Sequence, residues 1–452
     1  MAAFGENIGM YEASFSRLPS QSNVYGLSVL SMPTWEGSKL LVASLSGGKM
    51  FCLEYQRLQG VVRLVSREIH FAYIPGDADI VSIDSFNREG TQPGTLGGLV
   101  IGITFIKDPS NTPAQYLNIY SAAVESGLEY SLDTIAQSCM CNIELQFIPF
   151  QLTHTRLCEE DGGDTVFLLG GNDQKIHLFR QDRETNQFME ENITDCFPEF
   201  DNLPGNAVWM DTQRVGGHKR ITAFGCEDGH VNVAIVNESS KEIQCMGGVQ
   251  HDGPITSVRI YRSKLDTPCP AVLGNKAPAL PVHTTQEGEY HLVVTSVLEL
   301  AVVYREVMLG GLTRQAILPE SNLYDSALCC CVGDVDWDGQ NEVIIGTYGQ
   351  ELLVYKYCEG SSRGRHKSNS SVASEKSASL ESDFTLLWRR SFAHPILALA
   401  YLDMTRDGLW ELVVISTKGC HILQHSLEEA AGKITERLET LALQGTTVNG
   451  SK

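Results

Sequence analysis

Residues 333–342 read GDVDWDGQNE. Asp334, Asp336 and Asp338 put carboxylates at loop positions 1, 3 and 5, and Gln340 and Glu342 follow at 7 and 9. Gly339 at position 6 permits the sharp turn that folds such donors around one point. Hard oxygen donors at this spacing are the chemistry of a calcium-type cation loop. No Lys or Arg follows until Lys356, and carboxylates held together without counter-charge repel one another. A cation is one remedy. Backbone N–H groups and solvent around aspartates in a turn are another. The loop therefore reads as a calcium site or as a structural Asp turn, and calcium is the one cofactor the sequence suggests.

A second copy reads LDMTRDGLWE over 402–411. Asp403, Asp407, Gly408 and Glu411 keep the spacing, whereas Thr405 replaces the acid at position 3 and Arg406 adds a positive charge. This degenerate loop is expected to keep the turn and to have lost the metal. An EF-hand would need Glu at position 12, where Ile345 stands, and helices on both sides, where strands are expected. The first loop resembles instead the FG-GAP repeats of integrin alpha-subunit propellers, in which D-x-D-x-D-G-x-x-D joins the first and second strands of a blade. Glu342 departs from that pattern, where Asp is usual. Trp337-Asp338 spells WD but precedes a strand, which argues against a WD-type repeat.

Other chemistry is weakly represented. LSGGKM (45–50) lacks the first Gly and the Ser/Thr of a phosphate-binding loop and lies in a hairpin turn. No G-x-S-x-G, H-E-x-x-H or kinase signature occurs. The 12 histidines are scattered without metal-ligand spacing. The expectation is a protein that is not an enzyme, with no catalytic residue to name.

The elements that position the acidic loops form a repeat. Paired β-rich runs around a polar or Gly-containing turn recur at 39–56, 97–122, 164–182, 221–236, 290–307, 341–357 and 410–426. Each is preceded by a further run, beginning near Val24, Asp79, Leu145, Ala207, Pro254, Ala327 and Pro395, about 62 residues apart on average. Fourth runs are visible at 60–71 and 384–392. Small sheets of this kind bury their faces only against one another, so the pattern predicts an all-β, seven-bladed β-propeller of FG-GAP type over 11–426. The last unit lacks a fourth run, and residues 11–18 are expected to supply it and close the ring.

Beyond the ring, Leu427, Ala431, Ile434, Leu438 and Leu441 are spaced four, three, four, three. That spacing predicts an amphipathic C-terminal helix over 427–444 with a coiled-coil seam. Two heptads containing Gly432 are not stable alone, so the helix needs its own ring or another chain. Residues 359–383 hold nine serines and almost no large apolar side chain, which reads as a disordered insertion inside the sixth unit. Arg363 and Arg365 precede Ser368 at a basophilic-kinase spacing, which makes Ser368 a candidate phosphosite. Residues 1–10 and 445–452 are expected to be disordered.

The chain has 452 residues and a net charge of −21. That charge opposes a nucleic-acid or anionic-lipid binder. The first thirty residues lack a secretory pattern, and no apolar run approaches the ~18 residues of a membrane span. Thirteen cysteines, three of them consecutive (Cys329, Cys330, Cys331) and none in CxxC, read as buried thiols of a cytoplasmic protein.

Several stretches are similar to the kaptin family: SQSNVYGL (20–27), ADIVSIDSFN (78–87), VIGITFIKD (100–108), ELQFIPFQL (144–152), TYGQELLVYKY (347–357) and HILQHSL (421–427). The resemblance runs from about residue 14 to 427. It implies a scaffold subunit of the KICSTOR complex, working beside a second FG-GAP propeller protein and a large scaffold protein. That assembly holds the GATOR complex at the lysosomal surface and lowers mTOR signalling when amino acids or glucose are scarce. The family is also associated with actin at lamellipodia and stereocilia, so a cytoskeletal protein is the alternative. A calcium-regulated adaptor is a third reading.

Overall fold

Strands such as Glu342–Thr347 (EVIIGT) and Glu411–Ser416 (ELVVIS) are buried at every position. A strand without a polar face must be covered on both sides, and here each sheet is covered by its two neighbours. A computed structural model describes residues 8–31, 35, 37–58, 60–89, 96–121, 131–158, 161, 163–216, 218–263, 290–358, 383–428, 430–433 and 435. Among these, 28 strands pair as seven four-stranded antiparallel sheets, the blades of a seven-bladed β-propeller.

Blade one is β2 (Leu27–Leu30), β3 (Lys39–Ala43), β4 (Met50–Leu58) and β5 (Val61–Ile69). The inner strands of blades two to five are β6 (Asp79–Glu89), β10 (Pro149–Arg156), β14 (Ala207–Val215) and β18 (Ile255–Arg262). Leu145, expected near the start of the third unit, instead ends β9 (Cys139–Leu145), the outer strand of blade two. Blade six is β22 (Ala327–Gly333), β23 (Glu342–Thr347), β24 (Glu351–Tyr357) and β25 (Phe384–Ser391).

Blade seven runs β26 (Ile396–Leu402), β27 (Glu411–Ser416) and β28 (Gly419–His425), and its outer strand is β1 (Met10–Arg17). β1 pairs antiparallel with β28 from Met10 opposite His425 to Arg17 opposite Gly419. The two ends of the ring are thus joined by a backbone ladder. Ile8 and Met10, inside the stretch expected to be disordered, are buried in the core between blades six and seven. Residues 1–7 lie outside the described residues, as do Ser368 and all of 359–383 except Asp383.

The core is divided among the blade interfaces. Seven apolar clusters each join two adjacent sheets. Leu41 packs with Ile101, Leu117 with Phe167, Leu168 with Phe224, and Ala223 with Leu292. Val303 then shares a cluster with Val343, Ile344 with Val414, and Val413 with Val42, which returns to blade one. Among the described residues eight cysteines, Cys329 and Cys331 included, are buried free thiols in or beside these clusters.

Candidate functional site

The acidic loop of blade six joins its first strand, β22, to its second, β23, and the loop of blade seven does the same between β26 and β27. Their backbones match position by position. Trp337 and Arg406, both fourth in their loops, have φ of +61° and +57°, and Gly339 and Gly408, both sixth, have φ of +89° and +87°. The Gly339 N–H donates to Asp334 Oδ2 at 2.9 Å, and the Gly408 N–H to Asp403 Oδ2 at 2.8 Å. Val335 N–H donates to Glu342 Oε2 at 2.9 Å, and Met404 N–H to Glu411 Oε2 at 2.8 Å. Gln340 and Leu409 donate their N–H groups to Asp338 Oδ1 and Asp407 Oδ1. The first acid, the glycine and the closing glutamate therefore build the turn, and they do so in both loops.

The loops differ in what meets their remaining charge. In blade six, single carboxylate oxygens of Asp334, Asp336 and Asp338 come within 4.8 Å of one another. Lys356, on β24, reaches into this group. Its ammonium bonds Asp336 Oδ2, lies 2.8 Å from Asp338 Oδ2 and 4.0 Å from Glu342 Oε1. Burial works against the Lys356 charge, but the hydrogen bonds to Asp336 and Asp338 outweigh it and raise its pKa above the ordinary lysine value. Lys356 follows Tyr355, the partner of Val343; the matching position in blade seven, after the partner of Leu412, is Gln424.

Burial, reinforced by neighbouring carboxylates, pushes Asp334 up to about 6 and Glu342 to about 8. Burial does the same to Glu411, also to about 8. Asp334 Oδ1 and Glu342 Oε1 are buried without a hydrogen-bond partner. The donor set of Asp334, Asp336, Asp338 and Glu342 suits a hard divalent cation in kind and spacing. The Lys356 ammonium, however, stands among the same oxygens, so a metal ion fits only with Lys356 displaced. The sequence by itself places no cation near the loop. Lys356 is 14 residues beyond Glu342 in the chain, and the hairpin of β23 and β24 returns it to the loop.

Each loop is also covered differently. Loop six is held by Tyr401 of blade seven, whose OH donates to Asp334 O at 2.9 Å. The start of the C-terminal helix lies against it too: Lys433 Nζ donates to Asp336 O at 2.5 Å and sits 5.4 Å above the Trp337 ring. Residues 427–428, 430–433 and 435 are helical. Ala430 is buried, whereas Leu427 (67% exposed) and Ala431, two of the expected seam residues, face outward. Ile434, Leu438 and Leu441 lie outside the described residues. Loop seven is covered by the first to second strand connection of blade one: Ser38 N–H donates to Met404 O at 3.0 Å, and Arg406 reaches Trp35 O at 2.8 Å.

At the other end of the ring, Tyr25 crosses from blade one to donate its OH to Val208 O of β14 at 2.6 Å, beside the Trp209 ring. This bridge spans the channel at the starts of the inner strands, and nothing in the sequence marked it.

Comparison with known proteins identifies a family. The family model described as KICSTOR complex protein kaptin matches residues 10–435. KICSTOR complex protein kaptin of Mus musculus is 44% identical over 430 residues, which cover 95% of this chain and 91% of the mouse protein. Crystal structures of BBS1N in complex with ARL6DN, soaked with mercury or with lead, superpose with TM-scores of 0.54 and 0.53 at 10% identity. They cover 93% of this chain and 97% and 98% of theirs, and the likeness is one of fold alone.

Proposed function

The chain belongs to the kaptin family, and from that premise we propose that it is a non-enzymatic scaffold subunit of a KICSTOR complex. The observation that carries this reading is the match over nearly the whole chain to a protein named for that complex. In the finer form of the proposal, the propeller assembles with a second FG-GAP propeller protein and a large scaffold protein. Together they recruit the GATOR complex to lysosomes and lower mTOR signalling under amino-acid or glucose deprivation. The chain acts there as a peripheral component; no helix among the described residues is long and apolar enough to cross a membrane.

Two features support a scaffold. The seven blade interfaces are each closed by their own core, so the ring is held together without a partner. The outward face of the C-terminal helix, with Leu427 and Ala431, is available for a second helix. The test is to purify the tagged protein from cells, wild type beside Leu427→Glu/Ala431→Glu, and to identify what copurifies by mass spectrometry. KICSTOR subunits with the wild type and their loss with the variant support both the scaffold and the helix handle. The same subunits with both proteins move assembly to the blades. Actin alone overturns the reading in favour of the cytoskeletal one. A calcium-regulated adaptor is favoured only by the two unpartnered oxygens of loop six, and calcium enters this account as a competitor of Lys356.

A further inference from the structure

The connections that enter the blades and the turns between second and third strands share one end of the ring, the end that carries the Tyr25 bridge. Over blades four to six, backbone bonds tie them into one surface. His251 N–H donates to Gly229 O at 3.0 Å, Val297 N–H to Pro254 O at 3.1 Å, and Tyr348 N–H to Ser326 O at 2.8 Å. Leu298, Leu323 and Tyr348 stand out from this surface, 68%, 65% and 54% exposed. At its inner edge it dips into a cavity of about 210 Å³ with a largely apolar lining that includes Val208, Ile255 and Leu328, and Glu227. That volume is below the roughly 300–1,000 Å³ of small-molecule sites. Large apolar side chains held out in water gain from being covered, and grouped ones mark contact surfaces.

The same surface is acidic. Residues 227–229, 251–254, 297–301, 318–326 and 348–350 hold Glu227, Asp228, Asp252, Glu299, Glu320 and Asp325, with neither lysine nor arginine. Asp228 and Glu299 face the imidazoles of His230 and His251. Among the described residues, no lysine or arginine forms an ion pair with any of the six. Arg389, on β25, is turned instead to Tyr324 Oη at 2.9 Å and Glu351 Oε2 at 3.8 Å. At the other end of the ring the chain answers its own acids: Asp161 pairs with Lys241, Glu306 with Arg314 and Asp336 with Lys356.

We propose that the surface over blades four to six docks a segment of another protein that carries lysine or arginine beside large apolar side chains. The apolar side chains cover Leu298, Leu323 and Tyr348, and the cationic ones meet Asp252, Glu320 and Asp325. Complementary charge of this kind selects the partner and speeds encounter. A second copy is disfavoured, because a two-fold contact through this surface sets like charge against like. The chemistry of the surface is independent of which complex the chain joins.

The test is selection from a phage-displayed library of random linear peptides on the full chain, followed by fluorescence anisotropy with synthetic copies of the enriched peptides. The expected peptides combine Lys or Arg with Leu, Phe or Trp, and their affinity falls as salt rises. Asp252→Lys/Glu320→Lys is expected to weaken binding at least tenfold, and Leu323→Ser about threefold. Glu184→Lys, at an exposed glutamate at the other end of the ring, is expected to leave it unchanged. Circular dichroism checks each fold, and if the double variant does not fold, Leu323→Ser decides. The proposal is overturned if no peptide is enriched, if the enriched peptides lack Lys and Arg, if the folded Asp252→Lys/Glu320→Lys variant binds them fully, or if Glu184→Lys loses as much. It is also overturned if sedimentation shows a dimer that Leu323→Ser dissociates, which would make a second copy the occupant.

Discussion

The first to second strand loops of blades six and seven are two copies of one turn with different electrostatics. Both use an aspartate at position 1, a left-handed residue at 4, a glycine at 6 and a buried glutamate at 9. Loop six then adds Asp336 and Trp337 and answers the charge with Lys356; loop seven has Thr405, Arg406 and Gln424 at those places. The difference separates two jobs that a single motif conflates. The turn needs its first acid, its glycine and its glutamate, position 5 is an aspartate that accepts a backbone N–H in both loops, and the carboxylate at 3 is the addition that requires a cation. In loop six an ammonium from the same blade supplies it.

The largest expected effect tests what the two loops share. The folded chain holds the Glu342 and Glu411 protons to about 8, against an ordinary 4.5. Between those values the folded state binds more protons than the unfolded one. The protonated glutamates therefore contribute stability fully below pH 4.5, and that contribution is lost as pH rises through 8. Glu342→Gln and Glu411→Gln should each flatten this decline by roughly 2–4 kcal/mol in denaturant titrations across the window. Equal flattening marks burial as the common cause. Flattening by Glu342→Gln alone assigns the effect to the crowded carboxylates of loop six and breaks the parallel.

Lys356→Met comes next and separates the loops. Removing one partner of a largely buried charge cluster should destabilise the protein by about 2–3 kcal/mol in the absence of divalent cations. Gln424→Ala, at the matching place in loop seven, should change stability by less than about 0.5 kcal/mol. Both are read from urea unfolding at constant pH. Gly339→Ala and Gly408→Ala should each destabilise by about 1–2 kcal/mol, because alanine disfavours the positive φ that both positions adopt. A difference beyond about 1 kcal/mol between them would show that the turns are not equivalent.

The smallest effect concerns the cover of loop six. Lys433→Ala should cost about 0.5 kcal/mol of stability and raise hydrogen exchange at Ala430, with no change in loop seven. Unchanged exchange would mean that Lys433 does not hold the helix to the loop.

The propeller was legible in the chain because each middle strand is a short unbroken apolar run between turn residues, repeated seven times. Its closure was legible because the last unit lacked an outer strand and residues 11–18, ahead of the first unit, were there to supply it. The two loops were legible from spacing alone, since a turn is local. Lys356 as the counter-charge was missed because it reaches the loop through hairpin pairing rather than sequence proximity. The bridge from Tyr25 to Val208, 183 residues apart, was illegible for a related reason. Its two residues belong to different blades, and no local pattern records which inner strands start opposite one another. The inward turn of Ala430, rather than the Leu427 and Ala431 seam, reflects where the ring delivers the helix, which periodicity does not encode.

The central claim is that loop six carries its own cation. The most direct measurement is thermal unfolding of the wild type and Lys356→Met, each with EDTA and with millimolar calcium. The account predicts that calcium leaves the wild-type midpoint within about 1 °C and restores most of what Lys356→Met loses in EDTA. A wild type that gains several degrees from calcium, with Lys356→Met already as stable as wild type in EDTA, would contradict it and make the metal the resident ion.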